Sequence, residues 1–359
     1  MKSSFGTNIR VSIFGESHSP AIGLVMEGLP AGFKPDLAEL HRFMQRRAPG
    51  NSPISTPRKE TDEFEILSGM NGEIFSGAPF SAIIRNTNIN PSNYSNLENI
   101  PRPGHADFTA EMKFKGAQAK TGGGHFSGRL TAVLCLAGGI ALQILKSKGI
   151  FIGSHIFNIG KIYDSAFDDI SVSYNDFDKI VNNCIPVIDN EKGKAMTELV
   201  LETAKQHDSI GGSIECACIG LPPGIGNPMF MGLENRISSV IFGIPAVKGI
   251  EFGAGFGVSE MTGSENNDAF TISEGKITTV TNNHGGILGG ISSGMPLIFR
   301  VAVKPTPSIF KTQQSVDMKA MKIVSLDING RHDPCIVPRA VPCVEAATAL
   351  AILDAIMED

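Results

Sequence analysis

Two stretches of this chain are written in the same grammar, and that repetition constrains its fold more than any other feature. Ala21 to Glu27 reads as an apolar strand ending in Gly28-Leu29-Pro30-Ala31-Gly32, and Ile214 to Ile219 reads as one ending in Gly220-Leu221-Pro222-Pro223-Gly224. Ser76-Gly77-Ala78-Pro79 precedes the alternating strand Phe80 to Arg85, as Ser293-Gly294-Met295-Pro296 precedes Leu297 to Val303. A histidine–aspartate loop then follows in each half, His105 with Asp107 and His332 with Asp333, and each leads towards an alanine-rich helix, the second from about Val341 to Met357. The repeat predicts an α+β fold with an internal pseudo-two-fold. Its halves, about 1–150 and 206–359, share one core in a single domain spanning 1–359, with 151–205 as a connecting segment.

Helix signals fit this frame. Asp36 is placed as an N-cap with Glu39 three residues on, a capping box. Leu37, Leu40, Phe43 and Met44 form the apolar stripe behind it. A second helix runs through Leu233, Ile237 and Val240, and a short one over Thr109 to Lys115. A long helix follows Gly122-Gly123-Gly124 and continues to about Lys148. Its segment Leu130 to Leu145 is the most apolar of the chain, yet short for a membrane span and broken by Gly138-Gly139, so it reads as a buried core helix. With 42% hydrophobic residues the chain can bury a large core. Its net charge of −5 argues against a general nucleic-acid binder. No apolar leader before a small-residue cleavage site is read at the N-terminus. The six cysteines include no C-x-x-C pair, and Cys216 and Cys218 share one face of a strand. Reduced thiols in a cytoplasmic protein are therefore expected.

Chemistry concentrates in loops, where a rigid scaffold usually presents it. Gly15-Glu16-Ser17-His18, Arg102-Pro103-Gly104-His105-Ala106-Asp107 and Gly330-Arg331-His332-Asp333-Pro334-Cys335 each set an acid or a cation near a histidine. Imidazole can exchange a proton near neutral pH. Arg42, Arg46, Arg47, Arg58 and Lys59 surround a Pro-Gly turn and suit bidentate anion binding. Gly122-Gly123-Gly124-His125-Phe126-Ser127-Gly128-Arg129 opens the long helix, where backbone N–H groups can receive an anion. The run Asn282 to Gly294 predicts backbone close to a ligand without matching a dinucleotide fingerprint or a P-loop. Lys304-Pro305-Thr306-Pro307-Ser308 offers a second phosphate contact. No H-E-x-x-H or paired Cys/His spacing appears, so no metal is expected. The residues alone reach an enzyme with a phosphorylated small-molecule ligand and histidine acid catalysis; the reaction does not follow from them.

Together these residues resemble the chorismate synthase family, nearly end to end from Phe5-Gly6 to the last helix. The most specific parts are the three histidine loops, Thr306-Pro307-Ser308 after Lys304-Pro305, and Arg339-Ala340-Val341-Pro342. The resemblance implies a β-α-β sandwich with helices packed between antiparallel sheets, assembled as a homotetramer with no membrane partner. It implies anti-1,4-elimination of phosphate from 5-enolpyruvylshikimate 3-phosphate to give chorismate, using reduced FMN without net redox change. NADPH is left open as the reductant, with Arg47 as its contact. By the resemblance His18 is the proton donor to the leaving phosphate, His105 protonates the reduced flavin, and Asp333 accepts the flavin N5 proton. Arg46, Arg47, Arg102, Ser127, Arg129 and Arg331 would hold the substrate. FMN would lie against His125, Phe126, Ser127, Pro245, Ala246, Gly289, Lys304, Pro305, Thr306, Pro307, Ser308 and Arg331.

The chain departs from the family pattern at Ser19, at Ala48 and Pro53 in the basic segment, and at His125, Phe126, Gly128 and Leu130 in the glycine run. His125 is expected to take over part of a missing arginine's anion contact. Two other readings stay open at this point: a diverged paralogue that binds FMN or another anion without turnover, and a phosphotransferase using the glycine runs for nucleotide.

Overall fold

The computed structural model of the protein describes residues 3–50, 54, 62–87, 99–119, 122–328, 330 and 332–358. Two five-stranded antiparallel sheets enclose a layer of helices. The first runs in the order Ser4–Phe5, Arg10–Gly15, Ala21–Glu27, Phe80–Arg85, Phe64–Ser68. The second runs Val247–Phe252, Leu297–Val303, Gly212–Ile219, Phe151–Ile159, Ile162–Tyr163. The helices are α1 (Leu37–Arg47), α2 (Asp107–Phe114), α3 (Thr131–Ser147), α4 (Tyr174–Val181), α5 (Asn190–Lys205), α6 (Leu233–Ile241), the single turn α7 (Gly263–Asn266) and α8 (Val337–Ile356).

The repeated sequence grammar is repeated connectivity. Within 1–150, and again within 151–359, two strands, a helix, two strands and a central helix follow one another among the elements. In each sheet these four strands lie in the spatial order first, second, fourth, third, with Ser4–Phe5 or Ile162–Tyr163 added beside the first. The matching turns share their hydrogen bonds. Gly32 donates to the Phe75 carbonyl at 2.8 Å and Phe75 to Phe33 at 2.9 Å; Gly224 donates to Ser292 and Ser292 to Ile225, both at 2.9 Å. Gly28 (φ 86°) and Gly220 (φ 79°) take the same left-handed turn. A Cβ on either would stand within 2.0–2.1 Å of a carbonyl oxygen on the neighbouring segment, so only glycine fits. The segment 151–205, read as a connection, instead gives Phe151–Ile159 to the second sheet, paired along Gly212–Ile219. Its Ile156 and Ile159 are fully buried, and its Ile152 and Phe151 are partly buried against the core.

The central helices α3 and α8 pack on each other, α3 towards the first sheet and α8 towards the second. Gly138 sets their approach: a Cβ there would lie 2.3 Å from the Ala346 Cα. The 20-residue stretch Gly128–Ser147 has the length and mean hydropathy (1.7) to cross a membrane, and 83% of its apolar window is buried inside this layer. Helix α8 starts at Val337, four residues before the expected start. Pro338 falls in its first turn, where the missing N–H has no intrahelical partner to lose. At α1 the capping box is half made. Asp36 accepts from the Glu39 N–H at 2.9 Å, while the Glu39 carboxylate pairs with Lys146 instead.

Two buried ionic clusters tie distant segments. Near the C-terminus, Asp354 Oδ1 accepts from the N–H groups of Thr7, Asn8 and Ile9 at 2.7–2.9 Å, and Oδ2 takes Arg236 at 3.0 Å. In the second sheet, the fully buried His155 of Phe151–Ile159 faces Asp164 at 3.1 Å and Glu215 at 3.0 Å with its two ring nitrogens. Asp164 also caps the Ile188 and Asp189 N–H groups, and Glu215 that of Phe167. Burial opposes charge on this imidazole, but the two carboxylates outweigh it and raise its pKa.

Candidate active site

Loops from both halves converge on one cavity of about 710 Å³, large enough for a cofactor and a small substrate together. The first half contributes Arg47, Arg102, His105, His125–Arg129 and Thr131; the second contributes Pro245–Lys248, Lys304, Thr306–Ser308, His332, Asp333 and Arg339.

His105 is oriented by its own loop. Its Nδ1 lies 2.5 Å from Asp107 Oδ1, and Arg102 grips the same carboxylate through Nε (2.7 Å), Nη2 (2.8 Å) and its backbone N–H (3.0 Å). Burial alone would raise the Asp107 carboxyl; the hydrogen bonds from Arg102 and His105 outweigh it and hold it far below the usual carboxylate range. An ionised Asp107 requires the proton on Nδ1, which leaves Nε2 as the atom for acid–base exchange. Arg102 also donates to the Gly122 carbonyl at 2.8 Å. Its guanidinium lies on the wall, but its Nε and Nη2 serve the loop.

The other expected cations divide. Arg129 lines the cavity and is held by the buried Asp62 and by Asn86. Arg47 also lines it, with Nη1 on Asp62 at 2.5 Å, Nε on Thr131 and Nη2 on the Gly128 carbonyl. With all three nitrogens occupied and the residue 3% exposed, Arg47 presents no open fork to a dinucleotide such as NADPH. Arg46 is absent from the cavity: both its terminal nitrogens bind the buried Glu345 of α8, at 2.6 and 2.7 Å. The substrate role expected of Arg46 gives way to this bidentate pair, because a charge buried in the helical layer needs a fixed counter-charge. Arg331, Pro53, Arg58 and Lys59 lie outside the described residues.

Three further expectations change. His125 lines the wall, but its Nδ1 donates to the Gly15 carbonyl at 2.7 Å and its Nε2 meets Ser3 Oγ at 2.6 Å. A ring donating to a carbonyl and receiving a hydroxyl has no nitrogen left for an anion, so it does not replace the missing arginine. His18 does not line the cavity. It packs behind Gly122, where a Cβ would stand 2.3 Å from the His18 Cε1, with Ser17 Oγ at 2.9 Å from its Nδ1. Gly289 and Pro305 also fall off the wall, both exposed. The glycine run from Asn282 builds a hairpin, Ile287–Leu288 with Ile291–Ser292. Its glycines serve backbone approach within the protein: a Cβ on Gly286 would lie 2.7 Å from the Leu297 Cα. Gly290–Gly294 has the spacing of a hydrolase nucleophile elbow, but Ser292 is buried and donates to the Pro222 carbonyl at 2.6 Å.

The second-half wall carries the remaining chemistry. Asp333 meets Arg339 Nη1 at 2.6 Å, and Arg339 Nε holds the Arg47 carbonyl at 3.1 Å. Burial and the Arg47 charge lower the Arg339 pKa. Burial and Lys248 likewise lower that of Lys304, whose ammonium binds the Gly104 carbonyl. Thr306 Oγ1 is buried in the wall without a hydrogen-bond partner, a vacancy that a polar ligand atom fits. Beside it Ala246 holds φ at 75°, and its carbonyl receives the Lys304 N–H at 3.0 Å. Such a conformation in a non-glycine residue is strain typical of ligand clamps. Ser127 accepts the Arg129 N–H, and Phe126, 39% exposed, offers a ring face. Sequence reading missed Asp62, Lys248 and the position of Arg339. Arg339 stood in a motif already singled out; Asp62 and Lys248 carried no local signal. Among the described residues no His, Cys, Asp and Glu group is arranged to hold a metal.

Comparison with known proteins is consistent along the chain. The sequence model of the family described as chorismate synthase matches residues 9–357. Chorismate synthase of Lancefieldella parvula is 48% identical over 365 aligned positions, covering 99% of this chain and 96% of the relative. That of Thermococcus kodakarensis is 43% identical, covering 97% and 96%. A crystal structure of a chorismate synthase superposes with a TM-score of 0.77 at 25% identity, over 98% of this chain and 93% of that one.

Proposed function

The chain belongs to the chorismate synthase family, and from that premise we propose how its cavity carries the reaction. The activity is that of a carbon–oxygen lyase of the shikimate pathway, the family's own. The substrate we assign is 5-enolpyruvylshikimate 3-phosphate, which loses phosphate by anti-1,4-elimination to give chorismate. One observation carries the assignment: a single cavity joins the Asp107-oriented His105, the Arg339-paired Asp333, and cations from both halves.

Reduced FMN suits the second-half wall. Thr306 Oγ1 supplies an unmet hydroxyl, Lys304 and Ser308 flank it, and the strained Ala246 turn exposes backbone to a flat ring. When bound, reduced flavin lends electron density to the allylic system and recovers it, so phosphate leaves without net redox change. The protein's own part is positional and protonic. Arg129, Lys248, Lys304 and Arg339 concentrate positive charge where a phosphate and two carboxylates must lie. His105 Nε2 exchanges the proton at the flavin side, with Asp107 stabilising the charged ring. Asp333, fixed by Arg339, is the carboxylate that accepts a proton. His18, packed behind the Gly122 turn and off the cavity wall, is given no step in this scheme.

We also place the enzyme in the cytoplasm as a homotetramer. Exposed Phe230 (81%), Phe256 (82%) and Phe270 (70%) favour burial between copies. NADPH, if it serves as reductant, binds elsewhere than Arg47. Anaerobic incubation with FMN, dithionite and substrate should release phosphate and chorismate together. Binding of substrate and flavin without product would overturn the proposal.

A further inference from the structure

Cys135 of α3 and Cys343 of α8 face each other across the contact between these two central helices, with their sulfurs 3.7 Å apart. Both are free thiols, and both are buried. They differ in one respect: Cys343 lines the active-site cavity and Cys135 does not. The Cys135 S–H points at the Cys343 sulfur. Cys343 in turn reaches the Arg339 carbonyl at 3.3 Å.

We propose that Cys343 and Cys135 form a peroxide-responsive thiol pair in the cavity wall, with Cys343 the attacking sulfur and Cys135 the resolving one. The environment separates the two roles. The hydrogen bond from Cys135 lowers the Cys343 thiol against its burial, and the Arg47 and Arg339 charges add to that; burial raises Cys135. Thiolate is the reactive form, and nearby guanidinium favours it. The Cys343 sulfur attacks one peroxide oxygen, the O–O bond breaks, and hydroxide leaves and takes up a proton as water. The sulfenic acid so formed meets Cys135: an S–S bond forms, the S–O bond breaks, and the Cys135 proton departs with the oxygen as a second water. Two thiols are oxidised by two electrons and one peroxide is reduced to two waters.

Linking the pair displaces the Cys343 sulfur from its present contact. The sulfurs stand 3.7 Å apart and a bond brings them to about 2.05 Å. The link takes the Cys343 thiol from the Arg339 carbonyl, and Arg339 is what fixes Asp333. Oxidation therefore reaches the chemistry through a positioning contact. Under the flavin reading above, reduced flavin meeting dioxygen would generate peroxide inside the same cavity.

The test uses the full-length protein and added hydrogen peroxide with no flavin present, so it stands apart from the assigned reaction. Peptide mass mapping should find Cys135 linked to Cys343 with the loss of two hydrogens, reversed by dithiothreitol. In Cys135→Ala, dimedone should trap a sulfenic acid on Cys343; in Cys343→Ser, Cys135 should stay reduced. Should peroxide oxidise the exposed Cys184 while both core thiols remain reduced in the wild type, the proposal is overturned. If the link forms, turnover should drop several-fold in parallel with it and return on reduction. Turnover unchanged in fully linked protein would remove the functional half of the inference.

Discussion

The Asp62 carboxylate meets the Arg47 guanidinium at 2.5 Å, and neither side chain is more than 4% exposed. The other Asp62 oxygen holds Arg129. One buried carboxylate thus spaces two guanidiniums on the cavity wall, although burial itself opposes its charge. The two arginines outweigh burial and lower its pKa.

Asp62→Asn should leave those guanidiniums buried against a neutral amide. Breaking such a pair costs about 3–5 kcal/mol, so the urea midpoint should fall and KM should rise. The native carboxyl titrates below its unfolded value of about 3.9. Its contribution is therefore present above that pH and fades as pH falls through the lower native value. A variant with wild-type midpoint and KM would show that the bridge does neither job.

Asp107→Asn should let His105 turn to the wrong tautomer while Arg102 keeps one partner. Acid–base catalysis contributes about 10²–10⁴-fold, and kcat should drop by an amount in that range with little change in fold. Wild-type kcat with an unaltered pH profile would mean that His105 needs no orientation.

His155 predicts the opposite pH trend. Its folded pKa is raised, so the stability it adds is complete below about 6.5, the unfolded value, and is lost as pH rises through the folded one. The groups facing it are Asp164 and Glu215, with Arg300 beside Glu215. Denaturant midpoints should fall on the alkaline side, and His155→Gln should flatten the slope. A slope identical in both proteins would assign the pH dependence elsewhere.

Gly138→Ala sets two effects against each other. Alanine gains about 1 kcal/mol in helix propensity, but its Cβ would enter to 2.3 Å of the Ala346 Cα. Overpacking costs about 1–3 kcal/mol, occasionally more, and backbone cannot step aside as a side chain can. A net loss of melting temperature is expected; a gain would mean that α3 and α8 stand further apart.

The parts of this molecule legible in its sequence are those fixed locally. The Gly-Leu-Pro turns, the Asp36 cap and the apolar stretch of α3 each carry their cause within a few residues. The histidine loops were visible because glycine and proline punctuate them. What the sequence could not disclose is which charge meets which. Arg46 lies 299 positions from Glu345 and Arg129 lies 67 from Asp62. Only packing of the helical layer decides that Arg46 turns inward while Arg129 faces the cavity. His125 was misread for the same reason, since Ser3 and Gly15 reach it from across the chain. The strand Phe151–Ile159 was overlooked because no Gly-Leu-Pro turn marks its end.

The grip of Asp354 on Thr7, Asn8 and Ile9 has a consequence for synthesis. The carboxylate lies 345 to 347 positions along the chain from the groups it holds, so a nascent chain keeps its Thr7–Ile9 segment unsecured until Asp354 has been made. The central helix α8 emerges equally late, and the second sheet has no inner layer to close on before then. A chain that stalls before α8 therefore lacks the helix that covers α3 and the inner face of the second sheet, and leaves that apolar surface open.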